Sequence, residues 1–469
     1  MPGRSTWKLK FVALSLSMAV TDMCGSLFAP FFPGLALDSF NATNSQVGFV
    51  FAANCAAGII VTPLVPCVIA MTGTRLAIGS GLFIEAFMIG SFSFMNRLPS
   101  TSSFLTGCIA IRALLGAASS VFETAATAAV MRIAPEHLAA TAVGWAEAIR
   151  GVGALAGPVV GGLLYHIGGF ELPFIVAGGS MLVLLPPLLL LLPPHDRAAQ
   201  ALAPPAPVSR LLRLPAVWAG TITIAVVLVA VSFLDPTLQP FLAAAPLRLS
   251  PPHVGLIFSA SILSYVFASV ISGGLAARIG SIKQLVLGVL LVSIGYILIG
   301  PAPFLSFLPP ETTLALVLGG MLTIGLGGGL AYTPTNTLSL RSARAHGLSI
   351  EQASDGLAAL VNLAFLVGSV IGPVLGGVLV ELVGFRWASA SFGLAIAVLP
   401  LMLGACLCRE IREPPTEAVA AMATRLVVVV EQEEHPSCPV LVPAPGLNAG
   451  ESGSIQGGGG GLPPSLQGG

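Results

Sequence analysis

Seven ionisable residues stand inside otherwise apolar stretches of this chain: Asp22, Glu85, Arg112, Glu123, Glu147, Arg150 and Asp235. A charged group at the centre of a hydrocarbon layer costs about 2.5–3.5 kcal/mol to insert, so its presence there points to a role. Five acids against two bases leave three without a fixed counter-charge. Carboxyls that can hold either a proton or a cation are what a proton-coupled cation exchanger requires. Glu147 and Arg150 are three residues apart and share a helix face. They can neutralise one another; the static alternative is an ion-pair cluster that includes Glu123 and locks two neighbouring helices. For Asp22 the alternative to cation binding is a lone carboxyl hydrogen-bonded to a carbonyl. Asp235 directly precedes Pro236, where it either caps backbone groups freed at a kink or lines a cation path. Glu85 is expected to reach the headgroups, and Arg112 to serve structure or proton coupling rather than to touch a cation.

The elements that must position these residues are dictated by composition. Of 469 residues, 20 are basic and 20 acidic, so 9% are charged, against about 25% in a soluble domain. The hydrophobic share is 55% and the mean hydropathy +0.93. A disordered regulator, a basic nucleic-acid binder and a water-facing enzyme are excluded. A helix needs about 20 apolar residues to cross the bilayer. Twelve such stretches are legible: 11–33, 46–70, 77–96, 104–130, 141–165, 170–193, 216–242, 254–276, 284–300, 313–338, 356–380 and 387–408. Turn or charge signals separate them, as at Pro135-Glu136-His137 and Pro251-Pro252-His253. The first stretch lacks a small-residue cleavage site and is expected to be a span rather than a signal peptide.

Basic residues supply the orientation. With the amino terminus in the cytoplasm, fifteen of the twenty fall on that side, while Arg97, Arg248 and Arg386 fall opposite. Arg112 and Arg150 are within spans. The expected organisation is a basic cytoplasmic leader (1–10), a six-helix half (11–193), a cytoplasmic linker (194–215), a second six-helix half (216–408) and a disordered cytoplasmic tail (409–469). The fold class is therefore an all-α integral membrane protein with two six-helix pseudo-repeats.

A duplicated pattern supports the two halves. Span 5 carries Gly153, Gly157, Pro158, Gly161 and Gly162; span 11 carries Gly368, Gly372, Pro373, Gly376 and Gly377. Every Gly and the Pro repeat at a spacing of 215 residues, and each copy is followed by a Gly-Phe turn, Gly169-Phe170 and Gly384-Phe385. Small residues every four positions let helices approach closely in lipid, and the Pro permits a kink. A duplicated six-span unit is a common transporter design with its substrate site between the halves.

The segment Gly153-x-x-x-Gly157-Pro158-x-x-Gly161-Gly162 resembles the signature of drug and amine antiporters in the major facilitator superfamily, as does Arg112-x-x-x-Gly116 in span 4. The resemblance implies that the glycine segment lies at the contact between the halves. The loops after spans 2 and 8, around Gly73-Thr74-Arg75 and Arg278-Ile279-Gly280, lack the acid usual in the superfamily. The chain is similar to vesicular amine transporters, and within them to the polyamine branch. The matching segments include Pro30-Phe31-Phe32-Pro33, Phe170-Glu171-Leu172-Pro173, Phe233-Leu234-Asp235-Pro236 and Leu263-Ser264-Tyr265. The position of Asp22 is similar to a span 1 Asp of the monoamine relatives, and Glu147 to a Glu of the polyamine branch. Asn362 stands where the monoamine relatives carry an Asp, which points away from monoamine exchange.

The expected activity is proton-coupled antiport of an organic cation, an amine or polyamine, in a vesicle or plasma membrane. Asp22, Glu147 and Asp235 are the expected cation or proton ligands, with Glu123, Arg150 and Arg112 tuning them. Trp145, Tyr165, Tyr265, Tyr296 and Tyr332 are available to face a cation or simply to pack. The alternatives are transport of a neutral or anionic metabolite, and a receptor or scaffold that transports nothing. No enzyme motif, metal-binding spacing, phosphate-binding loop or cofactor motif is present in the sequence. The partners expected are lipid, the substrate and protons, with no nucleic acid and no obligate protein.

Overall fold

Backbone polar groups in hydrocarbon have no water to bond to, and helices satisfy them internally. The computed structural model describes residues 3–135, 138–192, 211, 214–244, 246–300, 309–345 and 350–407, and these are helical almost throughout. The linker expected over 194–215 (apart from Leu211, Leu214 and Pro215) and the tail expected over 409–469 lie outside the described residues.

Span 1 is Gly3–Ser26 and span 2 Asn44–Thr72; span 3 is Thr74–Phe92, span 4 Thr101–Ile133, span 5 Ala139–Gly168 and span 6 Glu171–Leu191. Spans 7 to 9 are Pro215–Ala243, Pro251–Ile279 and Ser281–Ile299. Spans 10 to 12 are Pro310–Ala345, Ile350–Val383 and Phe385–Leu407. Eleven are long and apolar enough to cross a membrane; in the twelfth, the described apolar part is the shorter Phe385–Pro400.

One boundary differs from expectation. The first apolar stretch does not continue to residue 33 as a single helix. It ends at Ser26 and restarts as a short helix, Phe32–Phe40, with a Pro in its first turn. Pro30 and Pro33 each lack an N–H, so one continuous helix through them would lose backbone bonds. Span 2 is likewise interrupted by a 3-10 turn, Thr62–Leu64, around Pro63.

The duplicated sequence has a duplicated geometry. Gly169 and Gly384 adopt φ of 66° and 77°, a left-handed conformation that a β-carbon disfavours, and each reverses the chain into the following span. Pro158 and Pro373 both lie inside their helices. In span 5, Gly153 faces the Ala19 carbonyl, Gly157 the Met23 carbonyl and Ser26, and Gly161 the Leu27 carbonyl, all of the span 1 segment. In span 11, Gly368, Gly372 and Gly376 face the carbonyls of Ala225, Val229 and Phe233 in span 7. Three glycines of each copy therefore pack a helix within its own half.

The fourth glycine turns to the other half. Gly162 lies against the Pro251 carbonyl of span 8, and Gly377 against the Asn44 carbonyl of span 2. Reciprocally, Gly255 receives the Pro158 carbonyl and Gly48 the Pro373 carbonyl. The seam between the halves is thus backbone against backbone, at two pseudo-equivalent places. The segment thus lies at the contact between the halves, as the resemblance implies, with Gly162, Gly377 and the two proline carbonyls facing across it while the other glycines face inward to their own half.

Side-chain bonds close the same end. Ser259 donates to the Leu155 carbonyl at 2.7 Å. The Ser45 amide donates to Glu381 Oε2 at 3.0 Å, so a span 11 carboxylate caps the first turn of span 2. Gln239 of span 7 packs on Gly34 of the short helix, and its Oε1 has no partner.

Within the halves, aromatic rings fill the core. Phe28, Phe92 and Phe174 meet at ring distances of 4.9–5.0 Å in the first. Phe233 stacks on Phe392 at 4.9 Å in the second, with Tyr296 edge-on to Phe233 at 5.6 Å.

Candidate functional site

Arg150 is the centre of a charged network in the first half. Its Nε lies 2.7 Å from Asp22 Oδ2 and its Nη2 3.2 Å from Asp22 Oδ1, a two-pronged contact from span 5 to span 1. Nη1 reaches Glu147 Oε1 at 3.1 Å, one turn back on the same helix. Nη2 also lies 3.4 Å from Glu123 Oε2 of span 4. One guanidinium therefore holds three carboxylates from three helices. The close packing of Gly153 on Ala19, one turn from Arg150, brings span 1 near enough for the Asp22 contact.

These carboxylates are graded in exposure. The Asp22 side chain is 21% exposed, that of Glu123 36% and that of Glu147 52%. Glu147 is the most accessible and is engaged electrostatically with Tyr265 and Tyr332 of spans 8 and 10. Those two rings pack edge-to-face at 6.4 Å. The contacts Gly162 to Pro251, Pro158 to Gly255 and Leu155 to Ser259 set an antiparallel register that brings Tyr265 level with the Glu147 turn. The acid network thus faces the second half.

Asp22 is accordingly no isolated carboxyl bonded to a carbonyl: its partner is Arg150. Glu85 departs further from expectation. It does not extend to an interface but is buried, 3% exposed, and its Oε2 has no partner. It interacts electrostatically with Glu123, Asp22 and Arg150. The sequence singles out Glu85 but not its burial, because span 3 is apolar on nearly every side and no polar face marks which way a residue points.

The remaining two charges, Arg112 and Asp235, make no direct contact with this network among the described residues. Arg112 of span 4 is 5% exposed, with its guanidinium 4.5 Å from the Phe28 ring centroid and 5.4 Å from that of Phe51. Nε lies 3.5 Å from the Val50 carbonyl oxygen, at the limit of hydrogen bonding, and Nη1 has no partner. Asp235 of span 7 interacts with it electrostatically across the halves. No hydrogen bond of Asp235 is found among the described residues, so it does not cap the kink at Pro236; Thr237 instead donates to the Phe233 carbonyl at 2.7 Å.

Of the other aromatics, Tyr165 stacks on Phe31 at 4.7 Å, and Tyr296 is fully buried with its hydroxyl on the Ala230 carbonyl. Both are packing residues. Trp145 is exposed on span 5, and Asn362 on span 11. The geometry therefore offers one acid-rich cluster gathered on Arg150, and a buried Arg112 that feels the charge of Asp235 from the second half without a direct contact among the described residues.

Comparison with known proteins gives the same architecture. The family model described as Major Facilitator Superfamily matches residues 14–357. MFS-type transporter SLC18B1 of Homo sapiens is 30% identical over 410 residues, covering 86% of this chain and 87% of that protein. The synaptic vesicular amine transporter of Homo sapiens is 24% identical over 382 residues, covering 80% and 68%. Among solved structures, a bacterial homolog of the human lysosomal transporter Spinster, in an inward-facing and occupied conformation, superposes with a TM-score of 0.69. It is 14% identical and is covered over 99% of its length, against 88% of this chain.

Proposed function

This chain belongs to the Major Facilitator Superfamily, and we propose that it exchanges protons for an organic cation, an amine or polyamine, by alternating access. It is a multi-pass membrane transporter related to vesicular amine transporters. The observation that carries the finer reading is the Arg150 network. Three carboxylates share one base and face the second half, so they hold a charge deficit that protons or an organic cation can fill. Glu147, half exposed and held by a single nitrogen of Arg150, is the first ligand a cation meets. Asp22, held by two, is the tighter ligand. Glu123 and Arg150 set the charge of the cluster. Asp235 and Arg112 couple it to the second half.

In this reading the halves rock about the backbone seam of spans 2, 5, 8 and 11. The bias of basic residues supports cytoplasmic amino and carboxyl termini, an orientation in which the seam lies at the outer end. The relatives' vesicular names support a vesicle membrane. An anionic substrate would meet Arg150, whose charge three carboxylates already share, or Arg112, which stands over the Phe28 and Phe51 rings and is 5% exposed.

Uptake of radiolabelled spermidine into proteoliposomes with an imposed pH gradient tests the reading. The acidic interior should drive accumulation, and Glu147→Gln should lower it by about tenfold or more. Uptake indifferent to the gradient and to Glu147→Gln would refute proton antiport.

A further inference from the structure

Glu85 is a buried ionisable side chain that the mechanism above leaves without a task. It stands on span 3, one turn beyond Gly81, whose missing β-carbon lets the helix rest on Phe122, the neighbour of Glu123 in span 4. A β-carbon at Gly81 would lie 2.9 Å from the Phe122 β-carbon. That close approach seats Glu85 behind the Arg150 network. The groups that act on it electrostatically are Glu123 of span 4, Asp22 of span 1 and Arg150 of span 5, and it in turn acts on Cys24 of span 1. Other charges on the packed helices are engaged elsewhere. Arg112 stacks on Phe28, Arg132 donates to Thr74 at 2.9 Å, and Glu171 of span 6 pairs with Arg97 at 2.9 Å. The neighbouring end of span 2 offers only the thiol of Cys67, which is exposed.

Two features separate Glu85 from Asp22, Glu123 and Glu147. At 3% exposure it has no opening through which an organic cation can reach it. Its Oε2 has no hydrogen-bond partner, whereas a carboxyl kept for structure is normally tied to one. A proton needs neither an opening of molecular width nor a permanent partner. Acid chains within membrane proteins are used as proton relays, and Glu85 stands within electrostatic reach of one.

We propose that Glu85 is a proton-only site of the transport cycle, set behind the cluster that holds the organic cation and coupled to it through Glu123, Asp22 and Arg150. When a cation enters the cluster, the added positive charge favours loss of the Glu85 proton. When the cation leaves, a proton returns to the same carboxyl. This rests on the proton-antiport reading and divides its labour: the exposed acids bind substrate, and the enclosed acid binds the coupling ion.

The test compares two assays on the purified full-length chain in proteoliposomes, with radiolabelled spermidine as the probe. One is accumulation driven by a pH gradient. The other is spermidine–spermidine counterflow without a gradient, which needs the cation site and the rocking motion but no net proton movement. Glu85→Gln, which keeps the shape of the side chain, should lose driven accumulation by about tenfold or more while counterflow stays within about threefold. Glu85→Asp should restore part of the accumulation with a displaced pH profile. Driven accumulation at the wild-type level in Glu85→Gln would overturn the proposal while leaving proton antiport intact. Loss of both activities in Glu85→Gln that elutes as a single species would also overturn it, since the residue would then be structural. Wild-type accumulation that ignores the gradient would overturn both this proposal and the reading on which it rests.

Discussion

The Arg150 guanidinium lies side-on to the Asp22 carboxylate, with contacts of 2.7 and 3.2 Å, so that span 5 and span 1 are joined across a sequence separation of 128. The same guanidinium also serves Glu123 and Glu147. Its removal is therefore expected to do more than its substitution in one pair. Arg150→Leu leaves three carboxylates together with no base. The unfolding free energy should fall by about 2 kcal/mol, between the values typical of exposed and buried pairs. Adding Asp22→Asn to Arg150→Leu should recover part of that loss. Thermal unfolding in detergent, followed by size-exclusion elution, measures both; equal melting of the single and double variants would count against the shared-base arrangement.

The glycine faces make a second, position-specific expectation. At Gly372 a β-carbon would lie 2.6 Å from the Val229 carbonyl oxygen and 2.9 Å from the Phe233 nitrogen, with backbone on both sides. Gly372→Val should cost about 3 kcal/mol or more and sharply reduce the yield of folded protein. Gly151, on the same type of helix as its counterpart motif, meets nothing within 4 Å. Gly151→Ala should be neutral or slightly stabilising, because Ala restricts the unfolded chain. Expression and melting temperature of the two variants distinguish these outcomes.

The seam between the halves can be biased without touching the charged network. Glu381→Gln weakens the acceptor that caps the first turn of span 2 at Ser45. Gly255→Ala pushes on the Pro158 carbonyl from the other side. Each should shift the population toward the state in which this end is open. A cysteine placed at Asn44, where Gly377 packs, should then react with a membrane-impermeant maleimide about two- to fivefold faster. Unchanged labelling in both backgrounds would mean that the seam does not gate access.

Arg112 is expected to be intolerant of its usual substitute. Its guanidinium lies 4.5 Å from the Phe28 ring centroid and 5.4 Å from that of Phe51, and it feels the charge of Asp235 from the second half. Lys keeps the charge but loses the plane and the separate donors. Arg112→Lys should lower the spermidine transport rate by about tenfold, with a smaller change in apparent affinity. A change confined to affinity would instead make Arg112 a substrate contact.

Sequence alone was a good guide wherever a one-dimensional rule governs the structure. Span length and apolarity reveal most of the helices, and identical spacing reveals the copies around Pro158 and Pro373. The Glu147–Arg150 contact is legible because it is local to one helix turn. The Asp22–Arg150 contact is not, since it depends on the glycine face of span 5 drawing in span 1. Nor was the position of Glu85, because a helix lined with apolar residues on all sides gives no sign of its buried face. The break after Ser26 was readable in principle from Pro30 and Pro33, but hydropathy runs through it without interruption.

The seam of Gly48, Gly162, Gly255 and Gly377 against the carbonyls of Pro373, Pro251, Pro158 and Asn44 has a further consequence. Both surfaces are main chain, which every residue type carries in the same form. Apart from the Ser259 and Glu381 bonds, such a joint has few side-chain matches to keep, and at the glycines it constrains its sequence chiefly by forbidding bulk. The substrate-facing residues can therefore drift toward a new cargo while the moving joint keeps working. A half taken from a relative with the same vacant positions and the same Ser259 and Glu381 bonds should dock here.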